Sequence, residues 1–282
     1  MKIKYFFPAL AFGGGAAAFV LRLLQNHTGF EAATGLPVPG NRWGILLAAL
    51  LAVTAVFNIL LVRKLPAKKD DAPSFEDAFS SPSTASMMVL VAGIFLLAAS
   101  GLLQAASSLG ILPDTMVLTA SGMAARAIFT SRLGLMEGVL TLLCAVSLFT
   151  TVPVCRRSGS REAGGSASQA SVNGSLLLVP VVIFVVRLVL SYREDSVNPS
   201  LAAYYVSLLA LVLTTLAFYR LASFAFQSGS SRRFLVYAVP AIVLCIASLA
   251  DSQPFHGAFF YAGAALTLSG FLLLHIDQPH MI

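Results

Sequence analysis

The 282-residue chain draws 57% of its residues from the apolar set and only 11% from the charged set, where an ordinary soluble domain carries about 25% charged residues. A soluble fold would lack the charges to cover its surface, and with a mean hydropathy of +0.85 the lipid bilayer is the solvent that suits this composition. A soluble enzyme, a disordered chain and a nucleic-acid-binding domain are excluded, despite a formal charge of +6 from 18 Lys and Arg against 12 Asp and Glu.

Runs of 17 to 25 apolar residues can cross about 30 Å as helices. Eight are predicted, near 5–24, 43–62, 85–104, 134–154, 175–192, 200–219, 234–250 and 257–275. The first follows Met-Lys-Ile-Lys and holds Gly13-Gly14-Gly15-Ala16-Ala17-Ala18, which also fits a signal peptide with a small-residue cleavage site. Its apolar run continues through Phe19-Val20-Leu21 to Leu23-Leu24, so it is read as a retained span. Gly13, Gly14, Ala17 and Ala18 form small-xxx-small pairs that let another helix approach. Residues 25–42 read as a compact loop around Pro37, Pro39 and Gly40. Residues 65–84 and 156–174 are polar and rich in Ser, Gly, Ala or Pro, and read as flexible linkers. Residues 111–133 are semi-apolar, and fit an interfacial helix, a re-entrant helix or an outward extension of span four. The tract Tyr192–Pro199 reads as a charged, solvated turn, with Asn198-Pro199 opening span six.

With eight spans and the N-terminus inside, 12 of the 18 Lys and Arg fall in the N-terminus and in connections two, four and six. This bias predicts cytoplasmic N- and C-termini. The fold class is therefore an all-α integral membrane protein of about eight transmembrane helices. It divides into a first half at 1–155, a cytoplasmic linker at 156–174 and a second half at 175–282. The halves align in part. Residues 19–24 (FVLRLL) match 184–189 (FVVRLV), residues 47–57 match 208–218 at five identities in eleven, and residues 92–100 match 240–248 at four in nine. An even number of spans per half makes this a parallel four-helix repeat. Chance similarity among apolar segments is the competing reading.

The alignment sets Arg22 opposite Arg187. Charge within hydrocarbon is costly, so each arginine needs a partner, water or a route to the interface. Arg22 and Arg187 fall in the outer halves of spans one and five, Glu137 near the outer start of span four and Asp251 at the outer end of span seven. One reading is an outward pocket in which two guanidiniums hold a small anionic ligand and the acids orient them. The other is that each arginine snorkels or pairs with an acid to fix helix packing. Asn58 and Gln104 read as interhelical hydrogen-bonding groups. Tyr204, Tyr205, Tyr219 and Phe224 fit a cavity lining, an interfacial belt or core.

No cofactor is read from the sequence. The histidines form no facing pair for haem, and zinc spacings, a phosphate-binding GxxxxGK[ST] and a GxSxG elbow are absent. Two functions lead, with a membrane enzyme third behind them. One is a small carrier, or the membrane component of a transport system, for an anionic or amphiphilic solute. The other is a non-catalytic membrane subunit or scaffold whose linkers meet a cytoplasmic protein partner. Either is a multi-pass integral membrane protein in contact with the bilayer, which in a bacterium would be the cell membrane.

Overall fold

A computed structural model describes residues 3–31, 36–65, 74–81, 83–111, 132–156, 173–195, 201–251 and 253–278. The semi-apolar stretch after span three and the second linker fall almost wholly outside the described residues, as does Asn198-Pro199. A short 3-10 turn at Ile3–Tyr5 leads into α1 (Phe6–Thr28), which is followed by α2 (Arg42–Arg63), α3 (Phe75–Phe79), α4 (Thr84–Ser108) and α5 (Arg132–Phe149). Then come α6 (Val152–Arg156), α7 (Gly174–Asp195), α8 (Leu201–Ala225), α9 (Ser231–Ser248) and α10 (Phe255–Asp277). Among the described residues, eight spans are long and apolar enough to cross a membrane: α1, α2, α4, α5 continued by α6, and α7 to α10. No strand occurs among the described residues. The protein is thus an all-helical, multi-pass membrane protein.

The helix ends follow from local chemistry. Asn41 caps α2 by accepting from the Trp43 amide at 3.1 Å. Of the connection read as a compact loop, residues 32–35 lie outside the described residues; on either side of them Val38 N–H donates to the Gly29 carbonyl at 2.9 Å and Glu31 N–H to the Leu36 carbonyl at 3.0 Å. The break between α5 and α6 has its cause in Pro153, which has no N–H and whose ring excludes the helical position of the Phe149 carbonyl. At the other side of the linker, α7 runs to Asp195, so Tyr192–Asp195 close a helix rather than opening a turn.

The six helices α10, α4, α5, α7, α8 and α9 form a closed sequence of neighbours, while α1 packs on α9 and α2 on both. The last span is the most buried of the eight. Its glycines explain how it enters so closely. A Cβ on Gly93 of α4 would stand 2.4 Å from the Thr267 amide nitrogen, and one on Gly270 of α10 would stand 2.6 Å from the Leu90 Cα. Backbone meets backbone there, since association within lipid rests on such contact more than on the hydrophobic effect. The small-residue run of α1 behaves less uniformly than expected. A Cβ on Gly15 would stand 2.6 Å from Ile246 of α9, one on Gly14 would stand 3.3 Å from Thr54 of α2 and 3.5 Å from Val243 of α9, and one on Gly13 would meet nothing within 4 Å.

Pro180 and Pro240 lie in helix interiors, past the first turn, and each deprives the carbonyl four residues earlier of its helical donor. Pro240 of α9 releases the Val236 carbonyl, and the Asn58 amide of α2 donates to it and to the Leu235 carbonyl, both at 3.2 Å. Pro180 of α7 releases the Leu176 carbonyl, which accepts from the Ser147 hydroxyl of α5. Asn58 thus joins helices, as expected, and does so at a site that the proline creates.

The polar connection 65–84 is only partly the linker its composition suggests. Ser74 caps α3, accepting from the Asp77 amide at 3.2 Å and donating to the Asp77 carboxylate at 2.6 Å. The helix then sinks Phe75 and Phe79 into the end of the bundle. Phe79 lies 5.2 Å from Phe224, 5.6 Å from Phe234 and 5.6 Å from Phe271, centroid to centroid, in edge-to-face geometry. The neighbouring His275 ring meets the Ala78 carbonyl through Nδ1 at 3.1 Å. At this end Lys4 also donates to the Gln278 carbonyl at 3.1 Å, so the described first and last turns lie together.

Candidate functional site

The opposite end carries the four charged residues singled out in the sequence, Arg22, Glu137, Arg187 and Asp251. Arg22 is sixteen residues into α1, about 24 Å along its axis, and is fully buried. Its Nε donates to Asp251 Oδ1 at 2.6 Å and its Nη1 to Gln25 Oε1 at 3.0 Å. Asp251, just beyond α9, also accepts from Asn26 at 3.2 Å. Asn26 donates as well to the Ala250 carbonyl at 3.0 Å, which fixes the chain leaving α9 against α1. The Tyr205 ring of α8 lies 5.3 Å from the guanidinium carbon. Arg22, Gln25 and Asn26 lie within about one helical turn and the acid comes from the chain just leaving α9, so the cluster reads chemically as a clasp of α1 to the end of α9.

The second cluster gathers more helices. Arg187 of α7 donates through Nε to Glu137 of α5, at 3.2 Å, and through Nη1 to Gln104 of α4 and Thr141 of α5, each at 3.3 Å. Gln104 in turn donates to the other Glu137 oxygen at 2.6 Å. Phe260 of α10 covers one face of the guanidinium at 3.7 Å. Four spans therefore converge on one cation, and His256 in the first turn of α10 lies within its electrostatic range. Burial is less complete than at Arg22: the Arg187 and Glu137 side chains keep 9% and 17% of their exposure, against 0% and 10% for Arg22 and Asp251. Of the two acids, Glu137 keeps the greater exposure, and it bonds to α4 as well as to α7.

The four residues singled out in the sequence thus lie at one end of the bundle, in two acid–arginine pairs. No residue named for one cluster belongs to the other, and α8 and α10 run between them, joined by the Tyr261 hydroxyl donating to the Ser207 carbonyl at 3.4 Å. Each guanidinium already has its carboxylate, where the expected pocket had two guanidiniums gripping one ligand. Gln104 is part of the Arg187 site as well as an interhelical bond. Sequence reasoning missed Gln25, Asn26, Thr141 and Phe260. The first two carried a signal, lying three and four residues after Arg22 on one helix face; Thr141 lies four residues after Glu137, but nothing local points to Phe260. Of the aromatic residues in span six, Tyr205 joins the Arg22 cluster, Phe224 joins the aromatic floor at the other end and Tyr219 is exposed.

Among the described residues no group of His, Cys, Asp and Glu is placed to hold a metal ion. Comparison with protein-family models, with curated proteins and with solved structures finds no match.

Proposed function

We propose that the protein is a small carrier, or the membrane component of a transport system, whose solute-binding group is Arg187. The observation that supports this most is the convergence of α4, α5, α7 and α10 on a single guanidinium. Charged groups inside membranes are commonly retained where a solute or ion passes. Glu137 occupies the position that a ligand carboxylate or phosphate would take, accepting from Arg187 and Gln104. An anionic solute entering from that end would displace the Glu137 carboxylate and receive the same forked donors. Phe260 covers the guanidinium face, which suits a solute with an apolar body. Because the four helices belong to both halves, a change of partner at Arg187 would alter how the halves pack. In this proposal the end with Lys4 and Arg232 faces the cytoplasm, by the bias of positive charge, and the arginine clusters open outward.

A second reading is favoured by one observation: both arginines already have acids, and Arg22 itself is fully buried. On that basis the protein is a membrane subunit or scaffold, its ion pairs fix helix packing, and residues 156–174 meet a cytoplasmic partner. Uptake of small carboxylates and phosphates into vesicles containing the full chain separates the two. A carrier accumulates at least one of them, and Arg187→Lys lowers that uptake about tenfold, the scale of one charge-assisted hydrogen bond, without lowering the melting temperature. Uptake equal in wild type, Arg187→Lys and empty vesicles would leave the scaffold in its place.

A further inference from the structure

At the end of the bundle away from the arginine–acid pairs, α8 and α9 form a hairpin with a basic, aromatic surface that the proposed transport does not use. The Arg220 guanidinium of α8 lies within cation–π range of two tyrosine rings, 5.4 Å from the centroid of Tyr219 and 5.6 Å from that of Tyr237 on α9. Its Nε is buried and has no hydrogen-bond partner. Arg233 precedes Tyr237 by one helical turn and is exposed, so it continues the same stripe of α9 toward the helix end. Tyr219, 48% exposed, and Phe226, 54% exposed, show that this surface faces the surroundings of the bundle. Arg220 is five residues from the end of α8, about 8 Å below it, the depth at which tyrosine and arginine meet the headgroup layer. Among the described residues no acid pairs with Arg220 or Arg233.

We infer that this hairpin binds the phosphate of an anionic phospholipid. The two arginines supply the donors at successive depths, and the tyrosine rings hold the deeper one in place by cation–π contact. Acyl chains then lie along the apolar flank below Tyr219. An isolated basic residue at a membrane edge meets lipid without selecting it. Here a guanidinium near two tyrosine rings, with a second arginine one helical turn from one of those rings, offers donors at two depths, the kind of basic surface between spans that takes anionic headgroups.

The test uses the full chain in phosphatidylcholine bilayers doped with a photoactivatable phosphatidylglycerol, with adducts mapped by peptide. Labelling is expected to concentrate on α8 and α9. It falls about tenfold in Arg220→Gln/Arg233→Gln, falls measurably in Arg233→Gln alone, and is retained in Arg63→Gln/Lys64→Gln, which removes equal charge from α2 and its end. Arg233 is exposed, so its variant folds and remains informative if the double variant does not. Inorganic phosphate at millimolar concentration is expected not to compete, because the bilayer holds the headgroup at the site. Labelling unchanged by either arginine variant, equal labelling by a photoactivatable phosphatidylcholine, or displacement by inorganic phosphate would each overturn the inference.

Discussion

Gly93→Ala measures how far the bundle depends on backbone contact between α4 and α10. The added Cβ would stand 2.4 Å from the Thr267 nitrogen, 2.6 Å from the Thr267 hydroxyl and 2.8 Å from the Leu266 carbonyl carbon. Ordinary contact lies near 3.5 Å, so the helices must part by roughly 1 Å, and the obstructing atoms include backbone that no rotamer change can move. Overpacking of this kind costs about 1–3 kcal/mol. Both helices are buried along this seam, which places the cost near 3 kcal/mol, or a fall of roughly 6–10 °C in melting temperature. Gly13→Ala is the internal control, because a Cβ there meets nothing within 4 Å; alanine's better helix propensity should leave it neutral or slightly more stable. Thermal denaturation of the three proteins in one detergent decides the matter. Equal melting of Gly93→Ala and wild type would refute the close crossing.

Three further outcomes are expected. Arg22→Met should destabilise by about 3–5 kcal/mol by leaving the Asp251 carboxylate without its guanidinium, while Arg22→Met/Asp251→Leu should recover much of the loss; additive melting shifts would show that the pair is not coupled. Asn58→Ala should cost less in a Pro240→Ala background, where residue 240 regains an N–H for the Val236 carbonyl. The expected coupling is about 0.5–1.5 kcal/mol in a double-mutant cycle, and zero coupling would separate Asn58 from the proline. Phe79→Ala should undock α3, raising amide hydrogen exchange across 75–80 well above wild type while the spans stay protected; unchanged exchange there would show that the aromatic floor does not hold this helix.

The spans were legible because hydropathy over about 20 residues is a strong, local signal, and all eight expected runs overlap the observed helices. Buried charge was legible for the same reason: Arg22, Arg187 and Glu137 stand out in apolar sequence, and Asp251 stands at the end of such a run. Which acid meets which arginine was not, since Arg22 and Asp251 are separated by 229 positions and only packing joins them. Residues 74–81 were hidden by their polar surroundings. Their own signs were a Ser-x-x-Asp start and phenylalanines at i and i+4, a single turn too short for periodicity to register. The roles of Asn58 and Ser147 could have been suspected by asking which carbonyls Pro240 and Pro180 leave without donors, but not which helix would supply them. The parallel repeat stays a proposal. Arg22 meets the chain just beyond α9 and Arg187 meets the corresponding end of α4, whereas the extensive α4–α10 contact has no comparably extensive α9–α5 counterpart.

The two arginine clusters are assigned different work, a ligand site at Arg187 and a clasp at Arg22, and equilibrium binding of small carboxylates and phosphates to the purified full chain tests that division most directly. Arg187→Lys should weaken the binding of a saturating anion about tenfold and leave melting unchanged, while Arg22→Lys should lower melting and leave affinity as in wild type. Equal affinity in wild type and Arg187→Lys, or equal weakening by both substitutions, would contradict the assignment.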